Sequence, residues 1–86
     1  MPHTKSQEKR DRQAIASRAR NRAIRSELKT RARHVDEAVE SGDREAAEQA
    51  LRIAQKRIDQ AVAKGVLKKN TANRRKARLQ ALVASL

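Results

Sequence analysis

Apolar residues recur along this chain at spacings of three and four, and they do so in three separate blocks. Ile24, Leu28, Ala32, Val35 and Val39 form the first stripe; Ala47, Leu51, Ala54, Ile58, Ala61 and Val62 form the second; Ala72, Leu79, Leu82, Val83 and Leu86 form the third. A period near 3.6 marks one face of an amphipathic helix. Three such faces predict three helices turned toward one another, an all-α three-helix bundle expected to occupy residues 1–86 as one domain.

The punctuation between the blocks sets the boundaries. Thr4-Lys5-Ser6-Gln7 has capping-box spacing, a hydroxyl and an amide three residues apart, which predicts a first helix starting near Ser6. That helix runs to about Glu40, because Gly42 stands where a left-handed terminal residue belongs, and Asp43 is placed to cap a second helix. The second helix, about 44–64, ends at Gly65. Asn70 is the best capping residue for a third helix over about 70–84, with Lys68 and Lys69 in the connection. A first helix of roughly 35 residues spans about 50 Å and a second of roughly 20 spans about 30 Å, so the first overhangs its neighbours at the N-terminal end.

Composition makes the core thin. The chain has 15 Ile, Leu and Val residues, 16 Ala and no aromatic residue in 86 positions, so the helices meet over small side chains. A core of that size leaves a chain only marginally stable by itself. With no cysteine there is no disulfide and no thiolate metal site to add support, which leaves a partner to supply it. The absence of cysteine and of any apolar leader or span fits a cytoplasmic protein.

Charge says what kind of partner. Residues 1–33 carry 11 basic and 3 acidic side chains, residues 34–63 carry 4 and 7, and residues 64–86 carry 7 and none. Two cationic ends repel themselves and call for a polyanion. The overhang from Lys5 to about Arg22 has Ile15 as its one large apolar residue, while Lys9, Arg10, Arg12, Arg18, Arg20 and Arg22 surround the axis. Such a segment gains little from protein packing, and it is expected to fray when free and to become helical when held by phosphates.

Polar side chains are interleaved with these cations: Ser6, Gln13, Ser17, Asn21, Ser26 and Thr30 in the first helix, and Asn70, Thr71 and Asn73 at the start of the third. Hydroxyls and amides beside Arg and Lys suit phosphate and ribose oxygens. The free backbone donors of the third helix's first turn favour an anion as well. Without Phe, Tyr or Trp there is no aromatic platform for splayed bases, so recognition by backbone and shape is expected, with several RNA strands gathered by three basic helices. Neutralising roughly eight phosphates implies a binding constant that falls by orders of magnitude as salt rises.

Other chemistry is thinly represented. Asp36, Glu37, Glu40 and Asp43 cluster near the first turn, where they balance Arg33 and Arg44 and cap a helix. His3 and His34 lack a second histidine or a cysteine at ligand spacing. No base, orienting acid and pocket fall together, so no enzyme, metal, cofactor or small-molecule substrate is expected. A DNA-compacting nucleoid protein is the nearest rival, since phosphate chemistry alone does not separate the two nucleic acids. A membrane-surface helix fares worse, because the apolar faces are Ala-rich.

Particular runs of residues resemble a known family. Lys5-Ser6, Lys9-Arg10, Arg12-Gln13, Arg20-Asn21-Arg22, Arg25-Ser26 and Leu28-Lys29-Thr30 look like the first helix of the bacterial small-subunit ribosomal protein S-twenty family. Lys64-Gly65-Val66-Leu67-Lys68-Lys69-Asn70-Thr71-Ala72-Asn73-Arg74-Arg75-Lys76-Ala77-Arg78-Leu79 is similar to its C-terminal signature. The likeness covers essentially the whole chain, departing at Met1-Pro2-His3-Thr4 and at Lys68.

The resemblance implies a long first helix on a three-helix bundle that binds small-subunit ribosomal RNA directly, early in assembly, low on the body of the subunit. It implies RNA contacts from Lys5, Ser6, Lys9, Arg10, Arg12, Gln13, Asn21, Arg22, Arg25, Ser26 and Lys29. A second implied group is Lys68, Lys69, Asn70, Thr71, Asn73, Arg74, Arg75, Lys76 and Arg78. Other small-subunit components are possible neighbours, and neither a membrane nor a second copy of the chain is expected.

Overall fold

A computed structural model describes residues 4–86, with side chains described from Ser6 onward. Three helices account for nearly all of it: α1 over Thr4–Glu40, α2 over Arg44–Ala63 and α3 over Lys69–Ala84. The predicted spans agree to within two residues at every end. The expected capping hydroxyl of Thr4 and the RNA contact at Lys5 are side chains outside the described residues, as is His3; Thr4 itself already lies within α1.

Both turns close in the same way. Gly42 and Gly65 have φ of +74° and +75°, the left-handed conformation that side-chain-bearing residues adopt only under strain. At the first turn the Gly42 amide donates to the Val39 carbonyl at 3.0 Å and the Asp43 amide to Ala38 at 3.2 Å. At the second, Gly65 donates to Val62 at 3.0 Å and Val66 to Ala61 at 2.9 Å. These paired bonds are the Schellman arrangement, which satisfies carbonyls that the helix end leaves free. Asp43 then caps α2, its Oδ1 accepting from the Ala46 amide at 3.1 Å. Since a Cβ at either glycine meets nothing within 4 Å, Gly→Ala there costs backbone strain alone. We expect each of Gly42→Ala and Gly65→Ala to lower unfolding free energy by about 1–2 kcal/mol in urea melts, with the helix content of the folded state unchanged.

The cap of α3 differs from the expectation. Lys68, with φ −75° and ψ 145°, takes the capping position, its side chain makes no capping bond, and Asn70 lies inside the first turn. The cause is apolar. Val66 and Leu67 both pack against the core, and Leu67 precedes the cap while Ala72, 2% exposed, stands four residues into the helix. That is the spacing of a hydrophobic staple, which fixes where the chain re-enters the helix.

The core is the predicted one. Leu28, Val35, Ala47, Ala54, Ile58, Ala61, Ala72, Leu79 and Val83 are buried. Around them pack Ile24, Ala32, Val39, Leu51, Val62, Leu82 and Leu86, the rest of the three stripes, together with Ala38, Ala50, Val66 and Leu67. Four of the nine buried residues are Ala, which lets the helices approach closely and keeps the apolar gain small.

Because each turn reverses the chain, α2 is antiparallel to both its neighbours and α3 lies parallel to α1. The molecule extends 63 × 22 × 13 Å, and its length is set by α1. Every residue from Ser6 to Arg20 is exposed, Ile15 to 61%. This is the overhang expected from the mismatch in helix lengths, helical in the structure and uncovered by any other described part of the chain.

Candidate nucleic-acid interface

Helical spacing collects one group of basic residues into a stripe. Arg18, Asn21, Arg22, Arg25, Ser26 and Lys29 alternate steps of three and one and together line one shallow depression on α1. Five of the six are exposed and Asn21 is half-buried. Eleven steps along the helix place the two ends of the stripe about 16 Å apart. Arg18 is not among the contacts that the resemblance implies; its spacing of four to Arg22 and seven to Arg25 is the signal that places it in the stripe.

Lys29 joins this stripe to α3. It borders a second depression, a groove between α1 and α3 lined by Leu28, Lys29 and Ala32 of α1, Ile58 of α2, and Arg75, Arg78 and Leu79 of α3. The parallel course of α1 and α3 thus brings together cations far apart in sequence. Nearer the overhang, Lys64 shares a crevice with Ile24 and Glu27, so the α2–α3 connection and its lysines sit at the root of the overhang.

Not every implied contact residue is free. Lys76 Nζ lies 2.8 Å from Asp59 Oδ1 and its side chain is 30% exposed, so it ties α3 to α2. Arg78 Nη2 lies 3.9 Å from Asp36 Oδ2, a loose pair on a guanidinium that remains 62% exposed. Thr71 is half-buried, whereas Lys68, Lys69, Asn70, Asn73, Arg74 and Arg75 are exposed. Ser6, Lys9, Arg10, Arg12 and Gln13 are exposed on the overhang, distributed around the axis, and nowhere near α3.

Most acidic side chains gather toward the opposite end, around the α1–α2 turn. Glu37 pairs with Arg33 at 3.5 Å and Glu48 with Arg44 at 3.4 Å, and Asp43 serves as the α2 cap. Glu27 is shared by Arg31 at 3.6 Å and Arg57 at 3.0 Å, a clamp between α1 and α2. All these pairs are substantially solvated, so each adds little to stability. Their effect is on the field: the long axis runs from a cationic overhang and root to an end where charges cancel. Among the described residues no helix is long and apolar enough to cross a membrane.

The chain matches the family model described as Ribosomal protein S20 over residues 2–84. It is 50% identical over 86 residues to the small ribosomal subunit protein bS20 of Fusobacterium nucleatum subsp. nucleatum, covering 100% of this chain and 96% of that one. It is 49% identical to the protein of the same name from Beutenbergia cavernae, and 49% to that from Kocuria rhizophila, with both chains covered in full in each case.

Proposed function

The chain belongs to the ribosomal protein S20 family, and from that premise we propose that it is a non-enzymatic, structural constituent of the small subunit of the cytoplasmic ribosome that binds small-subunit ribosomal RNA directly. The observation that carries direct binding is the continuity of Arg18, Arg22, Arg25 and Lys29 with Arg75 and Arg78, cations of two helices on one face with their heads in solvent. Phosphate oxygens are the counter-charge such a face needs, and Asn21 and Ser26 supply hydrogen bonds to phosphate or ribose beside them.

Mechanically, the bundle is an anchor and α1 is a strap. The bundle end presents the α1–α3 face to one RNA segment, and the overhang carries Lys9, Arg10 and Arg12 some 20 Å or more beyond Arg25, toward a second segment. Because cations lie on several sides of the overhang, it is suited to a cleft between RNA helices. Binding fixes the segments relative to one another during assembly. The acidic end, around the α1–α2 turn, faces away from RNA and toward solvent or other subunit components.

Filter binding against small-subunit ribosomal RNA tests this reading. With about six to ten phosphates neutralised, affinity falls by about 10³–10⁵ between 50 and 200 mM salt. A flat response removes the mechanism. The overhang offers a second check, because like charges at i and i+4 such as Arg18 and Arg22 oppose the isolated helix. Circular dichroism of the free chain is expected to show helix content rising with added salt or RNA, and a salt-independent, full helix content would contradict the coupling.

DNA binding is separated by competition. Small-subunit ribosomal RNA is expected to displace the chain from duplex DNA at equal phosphate concentration, because the overhang and the bundle face engage segments that only a folded RNA brings together.

A further inference from the structure

The α1–α3 groove has a composition unlike the rest of the basic face. Its floor is aliphatic, made by Leu28, Ala32, Ile58 and Leu79, and its rim is cationic, made by Lys29, Arg75 and Arg78. Its volume is about 220 Å³ and it opens to solvent. No carboxylate lines it, although Asp36 meets the rim residue Arg78 at 3.9 Å. A plain phosphate site has no use for such a floor.

We propose that this groove receives a single unstacked nucleobase of the RNA, its faces against the aliphatic side chains and its polar edge toward the rim. The proposal rests on the RNA-binding reading above and adds one base contact to recognition otherwise made through backbone and shape. Size supports it: an aliphatic cavity of about 150 Å³ accommodates a benzene ring, and the groove is somewhat larger but far too small for a duplex. Position supports it as well, because Lys29 belongs to both the stripe and the groove, so a strand whose phosphates follow α1 passes the mouth.

Chemistry narrows the base. All three rim groups donate hydrogen bonds and none accepts, so the edge they meet must present acceptors. The O6 and N7 edge of guanine and the keto edge of uracil do this with no exocyclic amine on that edge, whereas adenine and cytosine place an amine donor there. An Arg beside guanine O6 and N7 is the commonest such pairing. With no aromatic side chain in the protein, the exposed guanidinium of Arg75, which unlike that of Arg78 makes no ion pair among the described residues, is the plane assigned to stack on the base at the mouth.

The full chain bound to small-subunit ribosomal RNA tests the assignment by chemical probing. Carbodiimide reads uracil N3 and guanine N1, dimethyl sulfate reads guanine N7, and hydroxyl radicals read the backbone. Wild-type chain is expected to protect one guanine or uracil at its base edge inside the backbone footprint. Ala32→Met fills the groove without changing charge. It should abolish that protection and weaken binding about tenfold, the scale of one base contact, while the backbone footprint and the salt slope persist. Arg75→Lys keeps the charge, removes the plane and leaves the core alone. It should lose the same protection with the salt slope intact, and it decides the matter if Ala32→Met melts early. A backbone footprint with no protected base, or a protected base indifferent to Arg75→Lys, overturns the groove assignment while leaving RNA binding in place. Absence of any footprint overturns both.

Discussion

Replacing Arg18, Arg22, Arg25 and Lys29 together by alanine is expected to weaken binding to small-subunit ribosomal RNA by on the order of a thousandfold at 0.1 M salt. The dependence of the logarithm of affinity on the logarithm of salt should flatten by about four, one for each phosphate that is no longer neutralised. Arg22→Ala alone should flatten it by about one and cost about tenfold. None of the four side chains forms an ion pair with an acid among the described residues, and all are exposed. Alanine is a better helix former than any residue it replaces, so melting temperature should hold or rise. Lys76→Ala is the internal control: its partner is Asp59, and the salt slope should barely move. A quadruple variant that binds and assembles like the parent would show that the stripe does not touch RNA.

Leu79→Ala should have the largest effect on the fold. Leu79 is 2% exposed and is one of the two largest fully buried side chains, one of only three buried residues through which α3 joins the core. Truncation of a buried leucine costs about 2–5 kcal/mol. The total for a small Ala-rich bundle stands near the low end of the roughly 5–15 kcal/mol common to folded domains, so the loss is a large fraction of it. For a chain of this length a loss of about 1 kcal/mol lowers the melting temperature by about 4–8 °C, which predicts a drop of roughly 10–30 °C. The ion pairs Lys76–Asp59 and Arg78–Asp36 are too solvated to hold α3 in place. RNA should partly rescue the variant by binding the folded form. A melting temperature within about 3 °C of the parent would mean that α3 is not anchored through Leu79.

Features that depend on a few neighbouring residues are legible in the sequence. The three apolar stripes, the two left-handed glycines and the Asp43 cap are of this kind, and the structure places them as expected. The cap of α3 is not, because local chemistry favours Asn70 whereas the packing of Leu67 in the core moves the cap to Lys68. Tertiary register is beyond the reach of local pattern. Nothing near Lys76 announces Asp59, 17 residues away on another helix, so the tie it makes between α3 and α2 could not be read from its neighbours. The groove is likewise invisible in the sequence, since it exists only where Lys29 and Arg75 arrive at the same level of two parallel helices. The overhang is legible for a simple reason: length and the absence of large apolar residues decide it.

An electron cryo-microscopy map of small subunits reconstituted with this chain shows directly whether the cationic face of α1 and α3 is buried in folded ribosomal RNA. In that map α1 is expected to lodge between RNA segments along its overhang, with Arg22, Arg25, Lys29 and Arg75 within contact distance of phosphates and the Gly42 turn directed away from RNA. A chain bound through the Asp36–Glu48 end, with the stripe of α1 open to solvent, would contradict that placement.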